Sequence, residues 1–376
     1  MDTEPKIDWH SPKIQAYLKA VSRTFTNEGT LVAFPTCFPG MTVPMPLEES
    51  HITALEVTPD GIIFGGTSGR QSHLFVAAMH RLTGIVFDLG TPDGATHCAA
   101  VCWGSPGPAA GESGGSRLLA FVNGPRGGRA VSSPAPDMDE DLIQEWGFDD
   151  RKLTDHGECA PGEPVVHAIA DASHKFAVGV TAGHLFTTDL AAPQIRVVGE
   201  VSAKGRIALA SRGGFVGQDG GAHLWHYDPS TRALQGQAVK LPEGSWDHPL
   251  SWARDAQTGL LYTADTEGRL FSFDESAGFS GPLGRTALGP VGPMAVTFDG
   301  RVFGFCGDEI ANMFCYDPGL REVSNLGVAA SVIERRRYGY VFGDAVTGRD
   351  GEIVFGENDN GGHLWIYFPR IRSARA

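Results

Sequence analysis

The chain has few cysteines, no long apolar run and no excess of basic residues. Its 376 residues include 6 Cys, and none of these forms a CxxC pair or a zinc-finger spacing. This pattern favours isolated buried thiols over a metal centre. No apolar stretch approaches the length needed to cross a membrane. The formal net charge of −14 opposes nucleic-acid binding, which requires a basic surface.

The N-terminus lacks the apolar core of a signal peptide, since the chain opens with MDTEPK. No phosphate-binding loop is present. We therefore expect a cytoplasmic protein with no membrane and no nucleic-acid partner. Nothing in the sequence indicates an oligomeric state.

A short motif, Leu or Met followed by an aromatic residue, recurs along the chain after Gly-containing apolar runs. A degenerate copy lies at Arg129-Ala130-Val131, and successive copies are 39 to 56 residues apart. Repeats of this length that are built from short strands are typical of a β-propeller. The clear copies begin at His73, His184, His223, Arg269, Asn312 and His363.

The predicted fold is an all-β, seven-bladed β-propeller that forms a single domain over residues 1–376. Each blade should contain four antiparallel strands, the first of which lines a central channel. Asp60-Gly61, Asp299-Gly300 and Asp350-Gly351 are predicted to turn the chain into second strands, because Gly readily adopts positive φ. Counting one inner strand per motif gives seven, beginning near His51, His97, His167, Arg206, His248, Met294 and Tyr340.

Residues 1–29 and 137–161 are interpreted as lying outside the repeat, and the strand after the first of them is predicted to belong to the last blade. Residues 1–29 are an N-terminal extension, in which Ser11-Pro12 is predicted to start a short helix that reaches Phe25. The strand that follows, from Thr30 to Phe34, is expected to close the ring by joining the last blade. Residues 137–161 are interpreted as an acidic insertion between blades two and three, either a solvated excursion or a lid or dimer contact.

The candidate site is the mouth of the ring at which the inner strands begin. The residue types at these starts vary, and variation within a constant scaffold is typical of a functional site. By contrast, the His residues that recur in the motif at His184, His223 and His363 are interpreted as parts of the repeat. The residues assigned to the mouth are His51, His73, His97, His167, Arg206, His248, Arg337, Tyr338 and Tyr340.

Two of these residues carry a resemblance to known enzymes. His51, in Glu49-Ser50-His51-Ile52, and His73, in Ser72-His73-Leu74, open the first and third strands of one predicted blade. The ending from Gly356 to Tyr367 adds a matching last blade. The chain thus resembles the seven-bladed propeller polysaccharide lyases, of the ulvan lyase and rhamnose–glucuronate lyase type, and the related propeller rhamnosidases.

The resemblance implies that the protein cleaves a uronic-acid-containing glycoside or oligosaccharide by β-elimination. This reaction needs a cation for the carboxylate, a base for the C5 proton and an acid for the leaving oxygen. His51 and His73 would be the acid–base pair, and Tyr340 would share one of these roles. By their placement at the mouth, the predicted substrate-binding residues are His97, His167, Arg206, His248, Arg337 and Tyr338. Arg206 or Arg337 would hold the carboxylate, and no cofactor is required.

Three other functions remain open from the sequence. A metal-dependent lyase would hold a divalent metal with the His residues of the mouth. A rhamnosidase-like glycoside hydrolase would act at the same face, although the sequence reveals no inward-facing pair of carboxylates. A non-catalytic binding propeller is the third, but the single Trp246-Asp247 pair lies at the start of a predicted blade instead of its end.

Overall fold

The structure is a computed structural model that describes residues 11–12, 29–35, 45–80, 83–104, 117–134, 153–332 and 338–370. These residues form 29 strands and one short 3-10 helix, Leu47–Glu49. The prediction of an all-β protein is therefore confirmed. Within the described ranges, no helix has the length and apolar character needed to cross a membrane.

Eight strands form one continuous sheet. They are β2 (His51–Val57), β3 (Ile62–Ser68), β4 (Leu74–His80), β5 (Thr83–Gly90), β6 (His97–Gly104), β7 (Arg117–Gly124), β8 (Gly127–Pro134) and β9 (Thr154–Glu158). Strands β2–β5 pair in sequence order, as do β6–β9. A single residue pair, Ser68 with His97, joins the two runs.

Five further sheets each have the size of one propeller blade. The first contains β10 (Val165–Ala170), β11 (Phe176–Thr181), β12 (His184–Asp189) and β13 (Arg196–Glu200). The second contains β14 (Ala203–Leu209), β15 (Phe215–Asp219), β16 (His223–Asp228) and β17 (Ala233–Lys240). The third contains β18 (Ala253–Arg254), β19 (Leu261–Ala264), β20 (Arg269–Asp274) and β21 (Gly278–Arg285). The other two contain β22 (Val291–Val296), β23 (Val302–Cys306), β24 (Asn312–Asp317), β25 (Glu322–Ala330) and β26 (Tyr338–Gly339); and β27 (Phe342–Thr347), β28 (Ile353–Glu357), β29 (His363–Phe368) and β1 (Thr30–Pro35).

The first strands of these four-strand runs lie side by side and enclose a central channel. Strands β2, β6, β10 and β14 are successive neighbours, and β18, β22 and β27 continue the series back to β2. The gap between β14 and β18 is bridged by a parallel pair, Gly205 with Leu250. The arrangement is therefore that of a β-propeller, with the inner strands running in one direction.

The predicted count of seven separate blades is wrong. Five separate sheets have blade size, and the other eight strands form one sheet. The reason is local, because His97 at the start of β6 pairs both with Asn123 on its own hairpin partner and with Ser68 on β3. A count of repeated motifs cannot detect such a pairing between neighbouring runs.

The recurring Leu-aromatic motif lies on the third strand of each run, where its aromatic ring is buried. Phe75 and Phe186 are both 0% exposed, and each lies opposite a Gly on the second strand, Gly65 and Gly179. A Cβ atom at Gly65 would lie only 2.1 Å from the Phe75 ring. The ring therefore covers the glycine directly, and Trp225 and Phe314 lie opposite Gly217 and Gly304 in the same way, whereas Phe271 and Trp365 lie opposite Thr263 and Phe355.

The turns into the second strands form as predicted. Gly61, Gly300 and Gly351 have φ values of 90°, 80° and 86°, in the region that favours Gly. At two of these turns a Thr hydroxyl donates to the Asp that stands just before the Gly. Thr297 Oγ1, for example, donates to Asp299 at 2.6 Å. The Thr-x-Asp-Gly sequence therefore sets the hairpin between an inner strand and its neighbour.

The chain ends meet in the last sheet. β1 pairs antiparallel with β29, from Thr30 opposite Phe368 to Pro35 opposite His363, so the predicted closing strand is confirmed. No N-terminal helix is described, because the helix predicted from Ser11 to Phe25 falls outside the described residues after position 12. The stretch predicted as an acidic insertion, 137–161, ends in β9, which pairs with β8, and residues 135–152 lie outside the described residues.

Candidate functional site

The mouth of the ring places His51 and His97 on either side of one serine. His51 is the first residue of β2 and pairs with Ser68 at the end of β3. His97 is the first residue of β6 and pairs with the same Ser68 from the other side. Two half-buried imidazoles are thus held at neighbouring inner-strand starts.

A chain of hydrogen bonds runs from the backbone to the ring of His97. The Thr53 hydroxyl donates to the carbonyl oxygen of Cys98 at 2.7 Å, which uses its only proton. Thr53 Oγ1 lies 2.9 Å from Ser68 Oγ, so Ser68 must be the donor in that pair. Ser68 Oγ also lies 2.6 Å from Nδ1 of His97. Because Ser68 has already donated its only proton to Thr53, its oxygen accepts a hydrogen bond from Nδ1–H of the ring. The network therefore places a proton on Nδ1.

The environment of His97 keeps this imidazole uncharged. Burial lowers the pKa of His97 below its usual value, so the neutral ring predominates at pH 7. A neutral imidazole carries one ring proton, and the Ser68 contact holds it on Nδ1. Nε2 therefore carries a lone pair, which suits it to accept a proton from a bound molecule.

His51 is oriented by the last sheet of the ring. Its Nε2 lies 2.9 Å from Oδ1 of Asn360, in the loop between β28 and β29, and an amide oxygen accepts a hydrogen bond. The ring thus has a fixed direction at the meeting point of the first and last sheets. Asn360 lies within the closing stretch from Gly356 to Tyr367, so that stretch supplies a side chain to the mouth.

Other predicted mouth residues lie further around the opening. Tyr340 is 44% exposed two residues before β27, and its carbonyl accepts from the Ala311 N–H at 2.8 Å. Tyr338 is half-buried in β26, whereas Arg337 lies outside the described residues. His248 is exposed before β18. None of the hydrogen bonds described here joins Tyr338, Tyr340 or His248 to His51 or His97.

His73 lies at the same end of the ring, but both of its ring nitrogens are occupied. Nδ1 lies 2.7 Å from Asp88 Oδ2 and Nε2 lies 3.0 Å from Glu49 Oε2, while the residue is 7% exposed. Burial alone would lower the pKa of His73, but the hydrogen bonds and charges of Asp88 and Glu49 outweigh it and raise the pKa. A substrate could reach this ring only by displacing a carboxylate.

The same contact recurs two runs further on. His184, at the equivalent start of β12, has Nδ1 at 2.9 Å from Oε1 of Glu163. Glu49 and Glu163 each lie two residues before an inner strand. The backbone N–H groups of His73 and His184 also both donate to a Thr hydroxyl, at 2.9 and 3.0 Å. The interpretation of His184 as part of the repeat fits this geometry, and His73 shares it.

Two predicted residues, Arg206 and His167, lie deeper, in the wall of the channel. Arg206 forms an ion pair with Asp344 and donates from Nη2 to the carbonyl of Gly343 at 2.7 Å. This pair crosses the channel between β14 and β27. Nδ1 of His167 accepts from the Ile207 N–H at 3.3 Å, and burial together with the charge of Arg206 lowers its pKa well below the usual value.

A cavity of about 240 Å³ occupies this part of the channel. It is lined by residues of the inner strands, and none of His51, His73, His97, His248 or Tyr340 borders it. Its polar lining consists of Glu56, His167, Arg206, Trp252, Arg254, Asp344 and Thr347. The predicted site residues are therefore divided between the mouth and the channel.

Sequence reasoning missed several residues of both places. Ser68, Thr53 and Asn360 carry no motif, and only their pairing in space links them to His97 and His51. Glu56 and Arg254 could have been noticed in the sequence, since each is a charged residue within or beside a mostly apolar inner strand. Searched over the described residues, the chain has no group of three or more His, Cys, Asp or Glu residues arranged to hold a metal.

Compared with models of known protein families and with curated proteins, the chain matches none. The resemblance to propeller lyases and rhamnosidases therefore stays a prediction, and the structure supports the propeller arrangement alone.

Proposed function

We propose that the protein is a lyase that cleaves a uronic-acid-containing glycoside or oligosaccharide by β-elimination at the mouth of the ring. The observation that carries the proposal is His97, a neutral imidazole with its proton held on Nδ1 and its lone pair on Nε2. A correctly oriented base of this kind is what abstraction of a C5 proton requires. His51 lies on the other side of Ser68, within reach of the same ligand.

In the proposed reaction, Nε2 of His97 takes the C5 proton of the uronate. The electrons of the C5–H bond form a C4–C5 double bond, and the bond from C4 to the glycosidic oxygen breaks. The doubly protonated ring of His51, whose Nε2 proton is held by Asn360, donates its Nδ1 proton to that oxygen, which leaves as a hydroxyl group, and Tyr340 is the alternative donor. His97 afterwards loses its added proton to water and the donor regains a proton from water, so the enzyme is regenerated without a cofactor.

The carboxylate of the uronate needs a cation, because its charge otherwise opposes removal of the neighbouring proton. Arg206 is already committed to Asp344 and Gly343 within the channel. Arg70 follows Ser68 by two residues, and its side chain is 70% exposed. It contacts Glu48 at 3.3 Å and Glu49 at 2.9 Å, which leaves further N–H donors on the guanidinium. We assign Arg70 to the substrate carboxylate, together with Arg337 as predicted from the sequence.

His73 has a supporting role in this proposal. It binds Glu49, and Glu49 in turn accepts from Nε of Arg70 at 2.9 Å. The buried imidazole therefore fixes the carboxylate that orients Arg70. This assignment differs from the acid–base role that the resemblance implies for His73, because both of its ring nitrogens are already hydrogen bonded.

The direct test is ultraviolet absorbance of the unsaturated uronate during incubation with a panel of glucuronate-containing oligosaccharides. We expect a rise in absorbance that persists with a chelator and disappears in His97→Gln. His223→Gln is the matched control, since His223 is also half-buried but opens a third strand. A rise that the chelator abolishes would indicate the metal-dependent alternative. Sugar release without absorbance would indicate hydrolysis, and no reaction with the panel would contradict the proposal.

A further inference from the structure

The cavity in the channel faces away from the proposed lyase site. On β14 and β27 its lining begins at Arg206 and Asp344 and continues to the last residues, Leu209 and Thr347. Arg254 and Val296, the last residues of β18 and β22, also border it. The cavity therefore extends from the Arg206–Asp344 ion pair towards the face opposite His97.

The polar groups of this cavity are mostly hydrogen-bond donors. Arg254 uses Nε on the carbonyl of Leu209 at 3.0 Å, which leaves its remaining guanidinium N–H groups. Because Nδ1 of His167 accepts from a backbone N–H, the neutral ring carries its proton on Nε2. The carboxylate of Asp344 already accepts from Arg206 and from the N–H groups of Leu55 and Ala345.

Glu56 adds a further donor at neutral pH. It lies deep in the ring, half-exposed to the cavity itself. Burial is the main reason that the pKa of Glu56 is raised to about 8. The hydrogen bond from the N–H of Val57 lowers this pKa, and the negative charge of Asp344 raises it further. Its carboxyl group is therefore mainly protonated at pH 7.

The charges of the cavity do not balance. Arg206 and Asp344 neutralise each other, His167 and Glu56 are uncharged at pH 7, and the guanidinium of Arg254 remains. The charge of Asp255, the next residue, also acts on Arg254, but Asp255 does not line the cavity. Ile169, Leu209 and Val296 supply apolar walls. Such a space, with one positive charge that no carboxylate of its lining pairs, several donors and apolar sides, matches a small organic anion.

We propose that this cavity is a second binding site, separate from the mouth, that takes a small monocarboxylate with its carboxylate on Arg254 and its apolar part against the strand walls. This proposal does not depend on the lyase activity, because none of the residues that the proposed reaction uses borders the cavity. His167 and Arg206, which the sequence predicted to bind the substrate, line the cavity but have no role in that proposed reaction.

The site should respond to pH through Glu56. The groups around it are His167 on β10, Arg206 on β14, Arg254 on β18 and Asp344 on β27, with the buried thiol of Cys102 on β6. Burial raises the pKa of Cys102 well above its usual value, so this thiol stays neutral. As the pH rises through about 8, Glu56 ionises and cancels the charge of Arg254, so anion binding should weaken.

Isothermal titration of the full chain with sodium acetate and sodium benzoate tests the proposal, with acetamide and benzamide as neutral analogues. We expect at least one carboxylate to bind at pH 7 and its amide to bind about tenfold or more weakly, since a charged hydrogen bond is lost. Arg254→Met should weaken carboxylate binding by a similar factor. Arg212→Met, which alters an exposed arginine outside the cavity, should leave it unchanged.

A second variant keeps the test decisive if Arg254→Met does not fold. Glu56→Gln should bind the same carboxylate at pH 7 and, unlike the unaltered chain, should keep that affinity at pH 9. The proposal is overturned if neither carboxylate binds at millimolar concentration, if amides bind equally well, or if Arg254→Met has no effect in a folded protein. His97→Gln should retain carboxylate binding, so failure of the lyase proposal would be seen separately.

Discussion

His73 and His97 lie at the same end of the ring, yet they are held in opposite ways. His73 is buried between two carboxylates, Glu49 and Asp88, and its raised pKa favours the charged ring. His97 contacts a serine hydroxyl through one nitrogen, and burial lowers its pKa. The first arrangement stabilises a charge within the scaffold, whereas the second leaves a neutral base with a free lone pair.

The repeat itself shows which arrangement belongs to the fold. The contact of His73 with Glu49 has a counterpart in His184 with Glu163, each carboxylate standing two residues before an inner strand. The network of Thr53, Ser68 and His97 has no such counterpart among the hydrogen bonds described here. Contacts that recur from run to run support the ring, and a contact that occurs once is the better candidate for function.

The largest expected effect is on activity in His97→Gln. Removing the base should lower kcat/KM by about 10²- to 10⁴-fold, the usual contribution of general base catalysis. The glutamine amide can still donate to Ser68, so the free energy of unfolding should change by less than about 1 kcal/mol. Steady-state kinetics and urea unfolding of the variant provide both numbers. Activity close to that of the unaltered chain would remove His97 from the mechanism.

His73→Ala should have the largest effect on stability. It leaves the carboxylate of Glu49, which is 2% exposed, without its imidazole partner. Loss of one member of a buried ion pair costs about 3 kcal/mol or more. Urea unfolding measures this loss, and a change below about 1 kcal/mol would contradict a scaffold role.

The same pair predicts a pH dependence of stability. Because the pKa of His73 is raised in the folded state, its contribution is complete below the unfolded value of 6.5 and is lost as the pH rises through the folded pKa. The unfolding free energies of the unaltered chain and His73→Gln should therefore differ most near pH 6 and converge at alkaline pH. A difference that grows between pH 6 and pH 9 would be inconsistent with a charged His73.

Ser68→Ala tests the positioning of His97 and should have a smaller effect on activity. Without Ser68 Oγ, either ring nitrogen of His97 can carry the proton, so only part of the population is a competent base. We expect a loss of about tenfold in kcat, with KM little changed and a shifted pH profile. Ser72→Ala is the control, because the Ser72 hydroxyl is buried, whereas Ser68 is half-buried, and it donates to the carbonyl of Thr67 at 2.8 Å without contacting His97. Equal losses of activity in both variants would point to a structural effect alone.

The smallest expected effect is that of His184→Ala. The side chains of His184 and Glu163 are 32% and 28% exposed, so water compensates for much of the lost contact. We expect a destabilisation of about 1 kcal/mol or less and no change in activity. Thermal unfolding of His184→Ala and His73→Ala in parallel compares their losses of stability. Equal losses would show that burial does not control the strength of the His–Glu contact.

Much of the fold could be predicted because short stretches of neighbouring residues specify the strands and turns of the repeat. The Leu-aromatic motifs mark the third strands, the Asp-Gly pairs mark the turns, and Thr30–Phe34 joins the last sheet, since each depends on neighbouring residues or on strand propensity. The number of separate sheets was not predictable, because the pairing of Ser68 with His97 depends on how two runs approach each other.

For the candidate site, the sequence by itself determined that the inner strands begin with His51 and His97 and that a propeller brings such starts to one mouth. Only the tertiary structure decided how each histidine is held. Hydrogen bonds between residues distant in sequence, from Ser68 to His97 and from Asn360 to His51, fix tautomer and direction. The same holds for His73, whose two carboxylates come from separate segments, and for Arg206, which meets Asp344 across the channel. Burial and proton placement depend on such long-range contacts, and residue type and spacing do not specify them.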